Sequence, residues 1–175
     1  EWLLDSVKKD APYRVSEVME DGEEFLRATK SWGLEGIMAK DKNSTYQPGK
    51  RTGAWKKIKN RETADCLIAG FTEGKGDREP FFGALQLVQE VDGQMIYRGK
   101  VGTGFNRQQM KKLHHVFTKF VIDRKPFPIK MEDEKLTCWM LPTLVCEIAY
   151  ASLTENQTFR EPVFVRLRED MGKQT

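Results

Sequence analysis

Two spacings of apolar residues run along this chain, and the place where one gives way to the other divides it. Residues 1–9 read as the end of a helix, residues 13–19 as a short strand, and residues 22–32 as a helix with Phe25, Leu26 and Ala28 facing inward, closed by Gly33. Two short apolar runs follow, EGIMAK at 35–40 and AWKKIK at 54–59, each long enough for one strand. The stretch between them, DKNSTYQPGKRTG, is polar and rich in turn formers, which predicts an exposed loop that a ligand would order. After Lys59 the polar run NRETA breaks the pattern, so a domain boundary is expected there, with residues 1–60 on one side and 61–175 on the other.

Beyond the boundary the pattern is mostly that of strands. DCLIAGF, GALQLVQE, MIYRGKV, LVCEIAYASL and PVFVRLRED predict five of them, and Asp92-Gly93 between the second and third is a strong hairpin signal. Met110, Leu113, Val116, Phe117 and Phe120 recur at helical spacing, predicting a helix over 106–122 with Asn106 as N-cap, ended by the proline-rich RKPFPIK. Five strands with a helix between the third and fourth is the order of an OB-fold, a small Greek-key barrel that often grips nucleic acid. The expected fold class is α+β, mainly β.

Composition narrows the class. Of 175 residues, 39% are apolar and 31% charged, as in an ordinary globular protein able to bury a core. With no apolar run of about 18 residues and no signal peptide, the reading is a cytosolic or nuclear protein with no membrane partner. Cys66, Cys138 and Cys146 lie singly inside apolar runs and read as reduced core residues rather than a zinc site or disulfide framework. GKVGTG lacks the spacing of a dinucleotide loop, no phosphate-loop GxxxxGK[ST] is present, and the adjacent His114 and His115 point about 100° apart on a helix, so they cannot act as an i, i+4 metal pair. The net charge of +3 permits nucleic-acid binding, and the distribution says more: Lys40, Lys42, Lys50, Arg51, Lys56, Lys57, Lys59 and Arg61 crowd into one short stretch.

Within that stretch AWKKIK carries the sharpest signal. On a strand, Trp55, Lys57 and Lys59 share one face, which holds two ammonium groups roughly 7 Å apart. Either an anion such as phosphate lies between them, or this is a solvated lysine-rich edge strand of the kind that blocks aggregation.

Taken in order, EGIMAK, WKKIK and PVFVRLRED resemble the fourth, fifth and sixth motifs of the ATP-dependent DNA ligases, members of the covalent nucleotidyltransferase superfamily. STYQPGKRTGAWKKIK, GFTEGKGDREPFFGAL, RGKVGTGF and REPVFVRLRED are most similar to the ligase D type of bacterial and archaeal end joining, and the resemblance covers nearly the whole chain. It implies that residues 1–60 are the C-terminal part of an antiparallel nucleotidyltransferase domain and 61–175 an OB-fold barrel.

The same resemblance implies the chemistry: sealing of nicked or broken double-stranded DNA through enzyme-AMP and DNA-adenylate intermediates, with ATP and Mg²⁺ or Mn²⁺ as cofactors, in end-joining DNA repair and recombination. Lys57 and Lys59 match the lysines that hold the α-phosphate, and Glu35 the carboxylate associated with the metal. Lys40 and Arg51 match basic residues of the adenylate pocket, and Arg166, Arg168 and Asp170 the sixth motif. Strict alternation sets Glu35 and Lys40 on opposite faces, so a shared site requires a bend or bulge. Lys75 and Arg78, in the turn TEGKGDR, are expected to contact the DNA backbone.

The chain departs from the family pattern twice. Met171 stands where the sixth motif usually has lysine, and the nucleophile motif KxDG is answered only by MEDG and EVDG, neither with the lysine. The nucleophile is therefore expected upstream of Glu1, which makes the upstream half of the same ligase a partner. Ku, polymerase and nuclease proteins of end joining are further expected partners, and the prokaryotic cytoplasm, at the nucleoid, the expected location. RNA ligases and mRNA capping enzymes share the lysine pair and the OB-fold and form the alternative enzyme class. A non-catalytic OB-fold that binds nucleic acid is the remaining alternative.

Overall fold

The computed structural model describes residues 18–171, so the expected helix at 1–9 and most of the expected strand at 13–19 lie outside the described residues. The described chain is mainly β with few helices and parts into two compact units between Asn60 and Arg61.

The first unit consists of helix α1 (Gly22–Ser31) and the antiparallel pair β1 (Gly36–Lys40) and β2 (Trp55–Lys59). Asp21 caps α1, its Oδ1 accepting from the backbone N–H of Glu23 at 3.0 Å and of Glu24 at 2.9 Å. Trp32 ends the helix and Gly33, at φ 70°, turns the chain away in a conformation that favours glycine. Phe25, Leu26 and Ala28 are expected to face inward, yet the deepest residue of α1 is Thr29. Asn60 explains the burial of that hydroxyl: its Nδ2 donates to Thr29 Oγ1 (3.3 Å) and to the Leu34 carbonyl (2.8 Å), tying the end of β2 to the helix.

The second unit is built on β3 (Glu62–Glu73), the longest strand, which pairs with β4 (Phe82–Val91), β7 (Val145–Tyr150) and the short β6 (Thr137–Trp139). With β5 (Gln94–Val101) and β10 (Val163–Leu167) the order is β10-β7-β3-β4-β5, and a separate small pair joins β8 (Ser152–Leu153) to β9 (Phe159–Arg160). Asp92 and Gly93 both take positive φ, 50° and 76°, as the tight hairpin between β4 and β5 demands. Helix α2 (Arg107–Phe117) starts at a capping box of Asn106 and Gln109 and buries Met110, Leu113 and Phe117 in the core, with Phe117 against Phe71 and Phe82. The expected helix over 106–122 thus stops earlier as an α-helix and continues as a 3₁₀ turn over Thr118–Phe120.

The expected barrel is not closed by strand pairing. After Val101 the chain leaves the ladder through Gly102–Gly104, and the gap to β10 is bridged by a backbone bond from the Phe164 N–H to the Thr103 carbonyl, 3.0 Å. Gly104 lies so near β10 that a Cβ there would sit 2.2 Å from the Phe164 carbonyl oxygen, and Phe105 stacks on Phe164 with centroids 4.5 Å apart. A glycine turn and two rings therefore fill the place of a ladder.

The other face of the sheet is covered too. Met131, with Phe127 and Ile129, packs on Ala69 and Val88, and buried Gln86 is satisfied by the Glu132 carbonyl (2.6 Å), Thr137 Oγ1 (2.9 Å) and the Tyr97 hydroxyl (2.7 Å).

Candidate functional site

The register of the first unit pairs Gly36 with Lys59, Met38 with Lys57 and Lys40 with Trp55. Directly opposed residues share a face of an antiparallel pair, so Lys40 joins Trp55, Lys57 and Lys59 on one surface. Its Nζ lies 4.3 Å from the centre of the Trp55 ring, a cation–π contact, and Tyr46 from the connecting loop sets its ring 5.7 Å from the same indole.

Glu35 reaches that surface as well. Its Oε1 lies 2.8 Å from Lys57 Nζ and 3.5 Å from Lys59 Nζ, so a carboxylate bridges the two lysines. Alternation alone would send Glu35 to the opposite face, and the required bend falls at Gly36. This residue has φ 148° and packs so closely on β2 that a Cβ would lie 2.1 Å from the Ile58 carbonyl oxygen.

The lysines hold the Glu35 carboxyl below its ordinary pKa, chiefly through the hydrogen bond from Lys57. Yet the Lys57 and Glu35 side chains are 50% and 61% exposed, and ion pairs of that kind contribute little. A phosphate, with more charge and more acceptor oxygens, would readily take the carboxylate's place.

Beside the lysines opens a pocket of about 510 Å³ lined by Met38, Tyr46, Arg51, Trp55 and Lys57, among others, within the size range of small-molecule sites. The loop expected to be exposed supplies much of its wall, Arg51 included. Metal ligands are sparse: among the described residues no three His, Cys, Asp or Glu side chains group as a metal site. Glu35 is a single carboxylate, which suits a Mg²⁺-like ion only when nucleotide phosphates complete the coordination.

Arg166, Arg168 and Asp170 form a separate constellation in the second unit. Arg166 Nε donates to Glu147 Oε2 at 2.8 Å. Arg168 Nη1 donates to both Asp65 oxygens at 2.9 Å, while its Nε and Nη2 grip Asp170 at 2.9 and 2.8 Å. Asp65, Glu147 and Arg166 lie side by side across β3, β7 and β10, so the strands themselves set this row. Sequence reasoning misses Asp65 and Glu147, whose only signal is a lone charge inside an apolar run.

The hydrogen bonds from Arg168 hold the Asp170 carboxyl at about 2, below its usual 3.8. A depressed acid stabilises the folded state above its unfolded pKa, and that contribution disappears as pH falls through the folded value. Asp170→Asn is therefore expected to flatten the pH dependence of the urea midpoint between about pH 4 and 2, with little effect at pH 7 beyond the lost exposed pair. Carboxyl NMR of the parent chain reads the same group directly.

Lys75 and Arg78 have different surroundings. Lys75 is exposed, but Arg78 turns inward: its Nη1 donates to the carbonyls of Gly102 (2.6 Å) and Gly83 (3.3 Å), bracing the turn after β3 against the flanks of β4 and β5. That engagement occupies Nη1 and leaves Arg78 half-buried beside the exposed Lys75. Cys66 and Cys146 oppose each other in the core, where burial pushes the Cys66 thiol up to about 12 and Cys146 well above its usual value, leaving both neutral. Among the described residues no helix is long and apolar enough to cross a membrane.

Known proteins resemble this chain in sequence and fold. Residues 78–171 match the family profile of the ATP dependent DNA ligase C terminal region, and residues 7–59 that of the ATP dependent DNA ligase domain. The multifunctional non-homologous end joining protein LigD of Mycolicibacterium smegmatis is 34% identical over 152 residues, a match covering 86% of this chain and 20% of that protein. The crystal structure of the ligase domain of M. tuberculosis LigD superposes with a TM-score of 0.61 at 29% identity, covering 87% of this chain and 50% of that one. A mycobacterial DNA ligase D complexed with ATP and MES gives a TM-score of 0.56 at 28% identity, covering 87% and 49%. The chain thus spans about a fifth of the curated relative and half of the solved ligase domains.

Proposed function

The chain belongs to the ATP-dependent DNA ligase family, and on that premise we propose that it is the phosphate-gripping part of a ligase that seals nicked or broken double-stranded DNA. Residues 1–60 are then the C-terminal part of the adenylyltransferase domain and 61–175 its OB-fold. The observation that carries the reading is the convergence of Lys57 and Lys59 on one exchangeable carboxylate, on the face that also holds Lys40 and Trp55, beside the Arg51-lined pocket.

In the proposed cycle a lysine supplied by the upstream part of the ligase attacks the α-phosphorus of ATP, forming a P–N bond as pyrophosphate leaves. AMP then passes to the DNA 5′-phosphate, releasing the lysine, and the 3′-hydroxyl attacks that phosphate as AMP departs. Negative charge develops on phosphate oxygens at each step, and fixed cations lower such barriers most when they are already in place. Lys57 and Lys59 hold phosphate oxygens where Glu35 now sits, Lys40 and Arg51 hold the remainder of the nucleotide against Trp55, and Arg166, Arg168 and Asp170 engage the triphosphate in the first step. A divalent ion, Mg²⁺ or Mn²⁺, would add Lewis-acid stabilisation at the phosphates, with Glu35 as its protein ligand. The relatives' names support a role in end joining, and the same proposal sets that role in the prokaryotic cytoplasm with Ku, polymerase or nuclease proteins as partners.

Sealing assays on a chain extended upstream test this. Ligation of nicked duplex DNA with ATP, and failure with GTP or with a nick in RNA, is the expected result. Preference for GTP or for RNA would move the chain to the capping or RNA-ligase class.

A further inference from the structure

Charge in the second unit is unevenly placed. From Gly93 through Ile122 there is no Asp or Glu, whereas Arg98, Lys100, Arg107, Lys111, Lys112 and Lys119 fall in that span, giving it +6 against +3 for the whole chain. Four of these lie on α2 or on the 3₁₀ turn that continues it.

The helix sorts them by face. Met110, Leu113 and Phe117 point into the core, and at about 100° per residue Lys111, Lys112, His115 and Lys119 fall on the opposite, exposed side. All three lysines are exposed, and among the described residues Lys111, Lys112 and Lys119 make no ion pair. The arrangement is unfavourable for an isolated helix. Arg107 and Lys111 are like charges at i, i+4, and the first turn holds Arg107 with no acidic residue to complement the helix dipole. Arg107 is also drawn aside over the Phe81 ring, 5.9 Å away, so the outward charge rests on the lysines. Nothing within the described chain compensates them, so a polyanion is the complementary partner.

We infer that the exposed face of α2 and its 3₁₀ extension docks on the phosphate backbone of duplex DNA, through Lys111, Lys112 and Lys119. The three span roughly 12 Å along the helix axis, enough to meet more than one phosphate of a strand. This surface differs from the turn carrying Lys75 and Arg78, whose arginine is committed to backbone carbonyls. The inference rests on the DNA-ligase reading and adds to it a backbone contact by a helix that carries no reacting group.

Binding of nicked duplex DNA measured over a series of salt concentrations tests it, using the parent chain, Lys111→Gln/Lys112→Gln, and a charge-matched control, Lys130→Gln/Lys135→Gln. Each phosphate contact contributes about 0.9 to the slope of log K against log salt, so the α2 variant is expected to lose about 1.8 from that slope with an unchanged far-UV spectrum, and the control much less. An unchanged slope, or an equal loss in the control, would overturn the α2 surface while leaving the ligase reading in place, since the parent still binds. A parent chain that binds an acidic protein or RNA but no DNA would overturn both.

Discussion

In a chain extended upstream, Lys57→Ala is expected to lower nick sealing by about 10²–10³-fold, the usual loss when one fixed donor to a developing oxyanion is removed. The fold should survive, because Lys57 is a half-exposed side chain paired with the exposed Glu35. Sealing rates together with the thermal midpoint check both halves. The substitution also frees Glu35, so its carboxyl should titrate closer to an ordinary glutamate, since Lys57 is the main cause of its lowered pKa. Sealing within a few fold of the parent would remove the lysine pair from the reaction and return β2 to a solvated lysine-rich strand.

The second large effect is expected at Gly36. A methyl group there meets the Ile58 carbonyl oxygen at 2.1 Å and Lys59 Cα at 2.7 Å, both backbone atoms that no side-chain rotation moves aside. Its φ of 148° adds strain, at about 1–3 kcal/mol for a non-glycine residue in a sparsely populated region. Gly36→Ala should therefore separate β1 from β2 at the point where Glu35 is delivered to the lysines. Amide exchange across the β1–β2 ladder is expected to lose its protection, and sealing should fall with it. Retained protection would show that the strands can shift to accept the methyl, and that the bend is not what holds Glu35 in place.

These two residues show what the sequence could and could not convey. The face shared by Trp55, Lys57 and Lys59 follows from strand alternation, so the lysine pair poses its electrostatic question in the sequence alone. The position of Lys40 on that face is not local information: it depends on the register that sets Lys40 opposite Trp55. The route by which Glu35 joins them depends on one glycine's backbone angle, which a pattern of apolar and polar residues does not encode.

The second unit divides in the same way. The hairpin at Asp92-Gly93 and the buried stripe of α2 could be read because both are local, one set by turn chemistry and the other by helical spacing. The three-residue β6 and the cover formed by Phe127, Ile129 and Met131 are too short or too irregular to produce a period, and their burial is decided by the face of β3 and β4 on which they land. The gap between β5 and β10 has a similar origin, since the glycine turn at Gly102–Gly104 looks like any connection until Phe164 is brought against it. Asp65 and Glu147 acquire meaning only when the ladder sets them beside Arg166 and Arg168.

The central claim is that this chain grips the nucleotide's phosphates while the nucleophile comes from a segment upstream of it. Incubation with Mg²⁺ and α-phosphate-labelled ATP, followed by denaturation, tests it most directly when three proteins are run together: this chain, a chain extended upstream, and the extended chain carrying Lys57→Ala. Covalent AMP on the extended chain alone, with label strongly reduced by Lys57→Ala, is the predicted result. Label on this 175-residue chain by itself would mean that one of its own lysines is the nucleophile, and would contradict the account of a nucleophile supplied from upstream.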